Sequence, residues 1–306
     1  MPARSITVVL LLLLFFSTPS PRKALVVIPA GASAFQLAES LTSAGVLIRK
    51  EIFLKTTSFL KIDKELKYGS YEFFRFSPVF NIVSELKKGE SVLIKVTIPE
   101  GWRSDQIAER LEAQNIVGRD EFLKYVRDKE LEGYLFPETY YLPPASSPSY
   151  VCAVFKKQFD SVFSEELIHQ AANAGLSPRE TLILAGIIEK EAKSREEKFL
   201  ISGIFHNRLK KRMRLESCAT VRFAIKKWSG PLSIEDTLYD SPYNTYRHRG
   251  LPPSPISNPG KDALEAAANP MSTDLLFFVV DSSGEHNFSK YFDQHREKKF
   301  QRKRNK

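Results

Sequence analysis

Apolar and polar positions follow three rhythms along this chain. From Ile6 to Phe16 the run is apolar for eleven residues, behind Arg4 and ahead of Ser17-Thr18-Pro19-Ser20-Pro21 and Arg22-Lys23. That length suits the core of a secretory signal and falls short of the roughly 20 residues a free spanning helix needs. Residues 1–24 are therefore expected to direct the chain to a membrane, as a cleaved signal peptide or a short retained anchor. From 25 to 142 one pattern is written twice, 70 residues apart. Val26-Val27-Ile28-Pro29-Ala30-Gly31 to Leu41 matches Val96-Thr97-Ile98-Pro99-Glu100-Gly101 to Leu111, with eight of sixteen positions identical. Each copy predicts a short strand, a Pro-x-Gly turn and an amphipathic helix, followed by an aromatic strand at Gly69–Phe74 and at Gly133–Tyr141.

The third rhythm is helical. Pro143-Pro144-Ala145-Ser146-Ser147-Pro148-Ser149 reads as a linker, so the domain boundary is expected at 143. Beyond it a helical pattern runs from Tyr150 to Ala174, and Ser177-Pro178-Arg179-Glu180 is a capping box with Pro at the first helical position. Further helices are predicted from Thr181 to Lys193 and from Glu196 to Lys210, then a Pro-rich loop over 240–260 and a strand at Leu275–Val280. The tail 296–306 carries seven cations and one anion. The predicted fold class is α+β: two small repeated units over 25–142, a mainly helical domain over 143–295 with a long Pro-rich loop, and a basic tail. The strand, turn and helix order of the repeats resembles LysM-type modules, which bind N-acetylglucosamine polymers, although the same order also serves as plain scaffold.

Composition narrows the partners. With 45 Lys and Arg against 36 Asp and Glu, the net charge of +9 and pI near 9.3 imply an anionic surface: nucleic acid, phospholipid or an acidic wall polymer. The targeting segment argues against nucleic acid. Cys152 and Cys218 could form one disulfide or none, and the five histidines lack the close spacing of a zinc helix, so neither metal nor other cofactor is expected.

The helix from Thr181 carries the candidate chemistry. At about 100° per residue, Glu191 falls in line with Leu184, Ile187 and Ile188, while Glu189, Lys190 and Lys193 lie on the other side. A carboxyl aimed at an interior is costly unless paired, and desolvation favours its protonated form, as a general acid near neutral pH requires. The alternative is a buried Glu satisfied by Arg195 or Arg208. On the next helix Asn207 sits at the edge of the stripe made by Leu200, Gly203 and Ile204, facing a cleft or bridging helices. In the loop, five prolines interleaved with Tyr243, Asn244, Thr245 and Tyr246 predict a rigid wall for a sugar site, where aromatic faces stack on pyranose rings.

Several segments together carry a family resemblance: Ile187-Ile188-Glu189-Lys190-Glu191, Phe205-His206-Asn207-Arg208-Leu209, Tyr243-Asn244-Thr245-Tyr246, Gly250-Leu251-Pro252-Pro253, Asn258-Pro259-Gly260 and Gly284-Glu285-His286-Asn287-Phe288. With Ile98-Pro99-Glu100-Gly101 and Glu132 to Pro137, they resemble the endolytic murein transglycosylases, the YceG-like family. The resemblance implies a membrane-anchored lyase with a LysM-like unit and a catalytic domain outside the cytoplasm. Its essential glutamate would be the second of the Glu-Lys-Glu motif, Glu191, with Glu189, Asn207, Tyr243, Asn244, Thr245 and Tyr246 as candidate substrate contacts. The implied reaction cuts peptidoglycan glycan strands between N-acetylmuramic acid and N-acetylglucosamine, leaves 1,6-anhydromuramyl ends and terminates strand elongation. The implied partners are those strands, the membrane and peptidoglycan synthases. One departure is Cys218, where the family usually has Asp. Two rival readings remain: a muramidase using Asp236, Asp240 or Glu189 as a second carboxyl, and a non-catalytic peptidoglycan-binding scaffold.

Overall fold

A computed structural model describes residues 20–29, 31–62, 65–281 and 285–297. The expected targeting run Ile6 to Phe16 and nearly all of the basic tail lie outside the described residues, among which no helix is long and apolar enough to cross a membrane. The described residues form helices for the most part, with six short strands that pair two by two, an α+β and mainly helical protein. The chain divides into two compact units. Among the described residues, unit 1 draws on those up to 96 with 111–118 and 140–146, and unit 2 on 97–110, 119–139 and those from 147 onward. The division thus differs from a single cut at 143, because most of the second repeat copy packs with the helical half.

In unit 1, β1 (Lys23–Ile28) pairs antiparallel with β2 (Gly69–Phe74), Val26 opposite Tyr71. Alternation sets the faces: Val26 and Ile28 are buried, Leu25 and Val27 exposed. Between the strands run α1 (Ala34–Ser43), opened by a Ser33/Gln36 capping box, and α2 (Lys50–Phe59). Then α3 (Val79–Lys88) ends at Gly89, whose φ of 74° closes the helix in the left-handed region. Leu37, Leu41, Phe53, Ile82 and Leu86 form the core between them. Fully burying each such side chain contributes about 1.5–3 kcal/mol.

The second copy repeats the order. Strand β3 (Ile94–Thr97) pairs with β4 (Thr139–Leu142), with α4 (Ser104–Ala113) and α5 (Arg119–Asp128) between them. Unit 2 continues with α6 (Pro148–Val162), α7 (Glu165–Asn173), α8 (Pro178–Glu191), α9 (Arg195–Lys210), α10 (Cys218–Ile225), α11 (Ile234–Leu238), α12 (Lys261–Ala268) and the antiparallel pair β5 (Phe277–Val280) and β6 (His286–Ser289). The predicted capping box at Ser177 and Glu180 is present.

Helix α8 is the axis of unit 2, with every residue from Thr181 to Ile188 buried. The side carrying Glu189 and Lys190 is covered as well, because the segment around Gly101 lies against it: Lys190 Nζ donates to the Gly101 carbonyl at 3.2 Å. Small residues permit close approach elsewhere. The alanines of α12 pack on α8, and Ser257 Oγ donates to the Gly186 carbonyl at 3.1 Å. Residues 239–260 carry no helix or strand, yet 255–260 are buried. Asn258 pins this loop to the repeat segment. Its Oδ1 accepts from Gly133 N (2.8 Å) and Leu135 N (2.9 Å), and its Nδ2 donates to the Trp102 carbonyl (2.9 Å) and Glu132 (3.1 Å).

Candidate active site

Glu191 is the last residue of α8, because the chain turns extended at Ala192 (ψ 149°). Its carboxyl is half-buried and faces the start of α10. Ser217 Oγ donates to Oε1 in a short hydrogen bond, and the Ala219 amide approaches the same oxygen at 3.4 Å. Among the described residues Oε2 accepts nothing. Neither arginine weighed as a structural partner pairs with Glu191: Arg195 holds Asp262 and Glu265, and Arg208 holds Glu216 and three backbone carbonyls.

Ser217 is itself fixed by buried hydroxyls. Its amide donates to Thr245 Oγ1 (3.0 Å), its carbonyl accepts from Thr220 Oγ1 (2.7 Å), and the two threonine oxygens lie 2.8 Å apart. Two stretches of chain, 217–220 and Thr245, therefore aim one hydroxyl at one carboxyl oxygen.

Glu191 opens into a pocket of about 160 Å³ lined also by Arg103, Lys190, Cys218, Ala219, Arg222, Phe223, Trp228 and Ile256. It is smaller than the roughly 300–1,000 Å³ of drug-sized ligand sites and suits one substituent at a time. The Arg103 guanidinium lies over Trp228, 3.4 Å from the ring centroid. Desolvation and the neighbouring Arg103 lower the pKa of Lys190 below the ordinary lysine value. A larger cavity, about 1680 Å³, lies in unit 1 along α1 and α2. Of its two acidic residues, Glu39 is already paired with Lys50 (3.1 Å), so volume alone does not make it the catalytic centre.

The loop residues expected to face substrate stand mostly behind this pocket. Asn244 is fully buried and donates to the carbonyls of Thr237 and Tyr239 (3.0 and 2.7 Å), and Thr245 belongs to the hydroxyl cluster. Tyr243 bonds Ser254 (2.6 Å) and packs its ring on the pocket residue Phe223. Tyr246 comes closest, its hydroxyl 3.3 Å from Cys218 Sγ, and burial with Cys218 and Glu191 nearby raises its pKa. Asn207 bridges to the carbonyls of Thr273 and Leu275 (2.8 and 3.1 Å) rather than lining the pocket. Glu189 is held by Lys198 at 3.0 Å and by the Gly260 amide at 2.9 Å. Asn244, Asn207 and Glu189 share one physical reason: segments without helix or strand satisfy their backbone through side chains.

The other candidate carboxyls are also occupied. Asp236 caps α11 and pairs with Lys227 (2.7 Å), while Asp240 is exposed and lies 3.8 Å from Arg247 and His248. Among the described residues Glu191 is the one carboxyl lining the pocket. Cys152 is buried and Cys218 exposed, and no disulfide joins them. The sequence reading missed Ser217, Thr220, Arg103, Arg222 and Trp228. Only Ser217 carried a local signal, next to the atypical Cys218; the others are brought in by long-range packing.

The model of the YceG-like family matches residues 26–301. The chain belongs to the YceG-like family. Its relatives include an endolytic murein transglycosylase of Bacillus subtilis, 30% identical over 89% of this chain and 82% of that protein. A protein of the same name from Streptococcus pneumoniae D39 is 29% identical over 83% of this chain, which spans 53% of that relative's length. A crystal structure of a YceG-like protein from Listeria monocytogenes is 30% identical, covers 91% of this chain and 99% of its own, and superposes with a TM-score of 0.58.

Proposed function

We propose that this YceG-like protein is an endolytic lytic transglycosylase of peptidoglycan with Glu191 as its single acid/base. The observation that carries the reading is the geometry of that carboxyl: Ser217 donates to Oε1, Oε2 accepts no hydrogen bond among the described residues, and among them no second carboxyl lines the same pocket. A hydrolase of the common kinds needs two carboxyls roughly 5–9.5 Å apart across the scissile bond. A transglycosylase needs one. Glu191 protonates the glycosidic oxygen as its bond to C1 of N-acetylmuramic acid breaks. The resulting carboxylate then takes the proton of the muramyl C6 hydroxyl as that oxygen closes on C1. The product is a 1,6-anhydro end, no water is consumed, and Glu191 regains its proton.

Two further elements complete the proposal. Unit 1, with its strand, helix, helix, strand order, acts as a LysM-like module holding the glycan, and residues 1–24 place the rest of the chain outside the cytoplasm, where it cuts nascent strands and ends their elongation beside the synthases. A carboxy-terminal reporter working only in the cytoplasm would overturn that location. The catalytic claim is tested with purified glycan strands. Glu191→Gln keeps shape and removes the transferable proton, so anhydromuramyl ends should form about 10² to 10⁴ times more slowly, with the thermal midpoint near that of the wild type. Wild-type products should be one water lighter by mass than reducing ends. Retained activity in Glu191→Gln, or reducing ends as the main product, would reject the mechanism.

A further inference from the structure

The pocket around Glu191 is unusually positive for a neutral sugar. Three of its lining residues, Arg103, Lys190 and Arg222, are cations, against the single acid Glu191. Arg222 is immobilised, its two amino groups on the carbonyls of Lys227 (3.2 Å) and Gly230 (2.6 Å). Lys190 donates one hydrogen bond to the Gly101 carbonyl, and no carboxylate lies within 4.0 Å of its ammonium among the described residues. Arg103 is the most telling. Its side chain is only 12% exposed, it lies flat on Trp228, and Asp105 takes one amino group at 2.9 Å. Its Nε is buried without any hydrogen-bond partner.

A buried donor left unmet costs about 1–3 kcal/mol, and a charged one more. Like charges gathered in a partly desolvated pocket add to that cost, as the lowered pKa of Lys190 reflects. A carboxylate entering the pocket would offset the second cost: it neutralises the cation cluster, through the charge-assisted hydrogen bonds that arginine forms best with planar oxyanions.

We infer that Arg103, Lys190 and Arg222 form an anion subsite beside Glu191 that takes a carboxylate carried by the glycan strand. This rests on the transglycosylase reading above and adds a requirement to it: the sugar placed at the acid is one bearing an acidic substituent. Two sources share that chemistry, the lactyl carboxyl of muramic acid in bare strands and the free carboxyls of attached stem peptides. Either makes the muramyl residue, not N-acetylglucosamine, the sugar recognised at this point, and so selects which of the two alternating bonds is cut.

The test has a binding arm and a turnover arm. In a Trp102→Phe background Trp228 is the sole tryptophan and lies in the subsite, so its fluorescence reads occupancy directly. N-Acetylmuramic acid should perturb it at concentrations at least tenfold below those needed for its amide or for N-acetylglucosamine. Lys190→Gln and Arg222→Gln should each erase that preference. For turnover, strands with stem peptides, strands stripped to the lactyl acid and stripped strands with that acid amidated are compared on the same enzyme. The acid-bearing strands should be cut at least tenfold faster in kcat/KM than the amidated ones, and whichever of the two acid strands is faster identifies the source. The ratio is independent of how much of a variant is folded. Equal binding and equal cutting of acid and amidated forms would overturn the subsite while leaving Glu191 untouched. Activity surviving in Glu191→Gln would overturn the catalytic reading, and the fluorescence arm would still judge the subsite.

Discussion

A residue's chemical type does not tell what it is for, and this chain separates the two by what each polar atom has to satisfy. The run His206-Asn207-Arg208 is packed with functional groups, and all three reach backbone carbonyls: Ala267 for His206, Thr273 and Leu275 for Asn207, Leu276, Arg214 and Leu215 for Arg208. Glu191 differs because its second oxygen is left unmatched. Ser217 is then a positioning residue, touching the acid rather than the sugar. A hydrogen bond of this kind contributes about 0.5–1.5 kcal/mol, so Ser217→Ala is expected to lower kcat about 2- to 10-fold. KM and the melting temperature should stay near wild type, and Ser217→Thr should restore most of the rate. A variant that melts early, or that loses KM instead of kcat, would show Ser217 to be structural.

At the scale of elements, the start of α4 is held by a titratable group. Glu132 accepts from Ser104 through both its amide (3.2 Å) and its hydroxyl (2.5 Å), and from Asn258 (3.1 Å). Desolvation outweighs these donors and pushes its pKa up to about 7 from the ordinary 4.5. Between those two values the folded state binds more protons than the unfolded state, so stability falls as pH rises from about 4.5 through 7 and is flat above. The shift corresponds to about 3 kcal/mol at most. Chemical denaturation of wild type at pH 5 and pH 8 should show that decline, and Glu132→Gln should remove most of it. The slope is the readout, since the glutamine amide also sets a donor against the Ser104 donors. A wild-type slope that survives in Glu132→Gln would assign it to other groups.

Unit 2 as a whole depends on one side chain that joins distant stretches of sequence. Asn258 satisfies two buried amides from 133–135 and a carbonyl from the 97–110 segment, bringing the repeat copy onto the helices that carry Glu191. Asn258→Ala strands at least two buried donors at about 1–3 kcal/mol each. Urea denaturation should therefore show a loss of about 3 kcal/mol or more, with hydrogen exchange accelerated at Gly133 and Leu135 before the rest of the unit. Stability within 1 kcal/mol of wild type, roughly the worth of an ordinary single hydrogen bond, would show the hub to be dispensable.

Local pattern was enough for many of the elements, although each repeat copy holds a second helix and the pattern over 150–174 is two helices, α6 and α7. The alternation in β1, the capping boxes before α1 and α8 and the 70-residue repeat are set by neighbours a few positions apart, and each copy of the repeat folds in the same strand, helix, helix, strand order. Helical spacing set Glu191 and Glu189 on different sides of α8, and tertiary packing buried the Glu189 side chain as well. What spacing could not decide is which polar groups would be consumed by the fold. Asn244 and Asn207 carry the same donors a sugar site would use, and tertiary packing turned them onto carbonyls of an irregular loop that had no other way to satisfy itself. The pocket's cations come from Arg103, Lys190 and Arg222, positions spread over more than a hundred residues of chain. Their convergence is a property of packing between segments, which no local window of sequence contains.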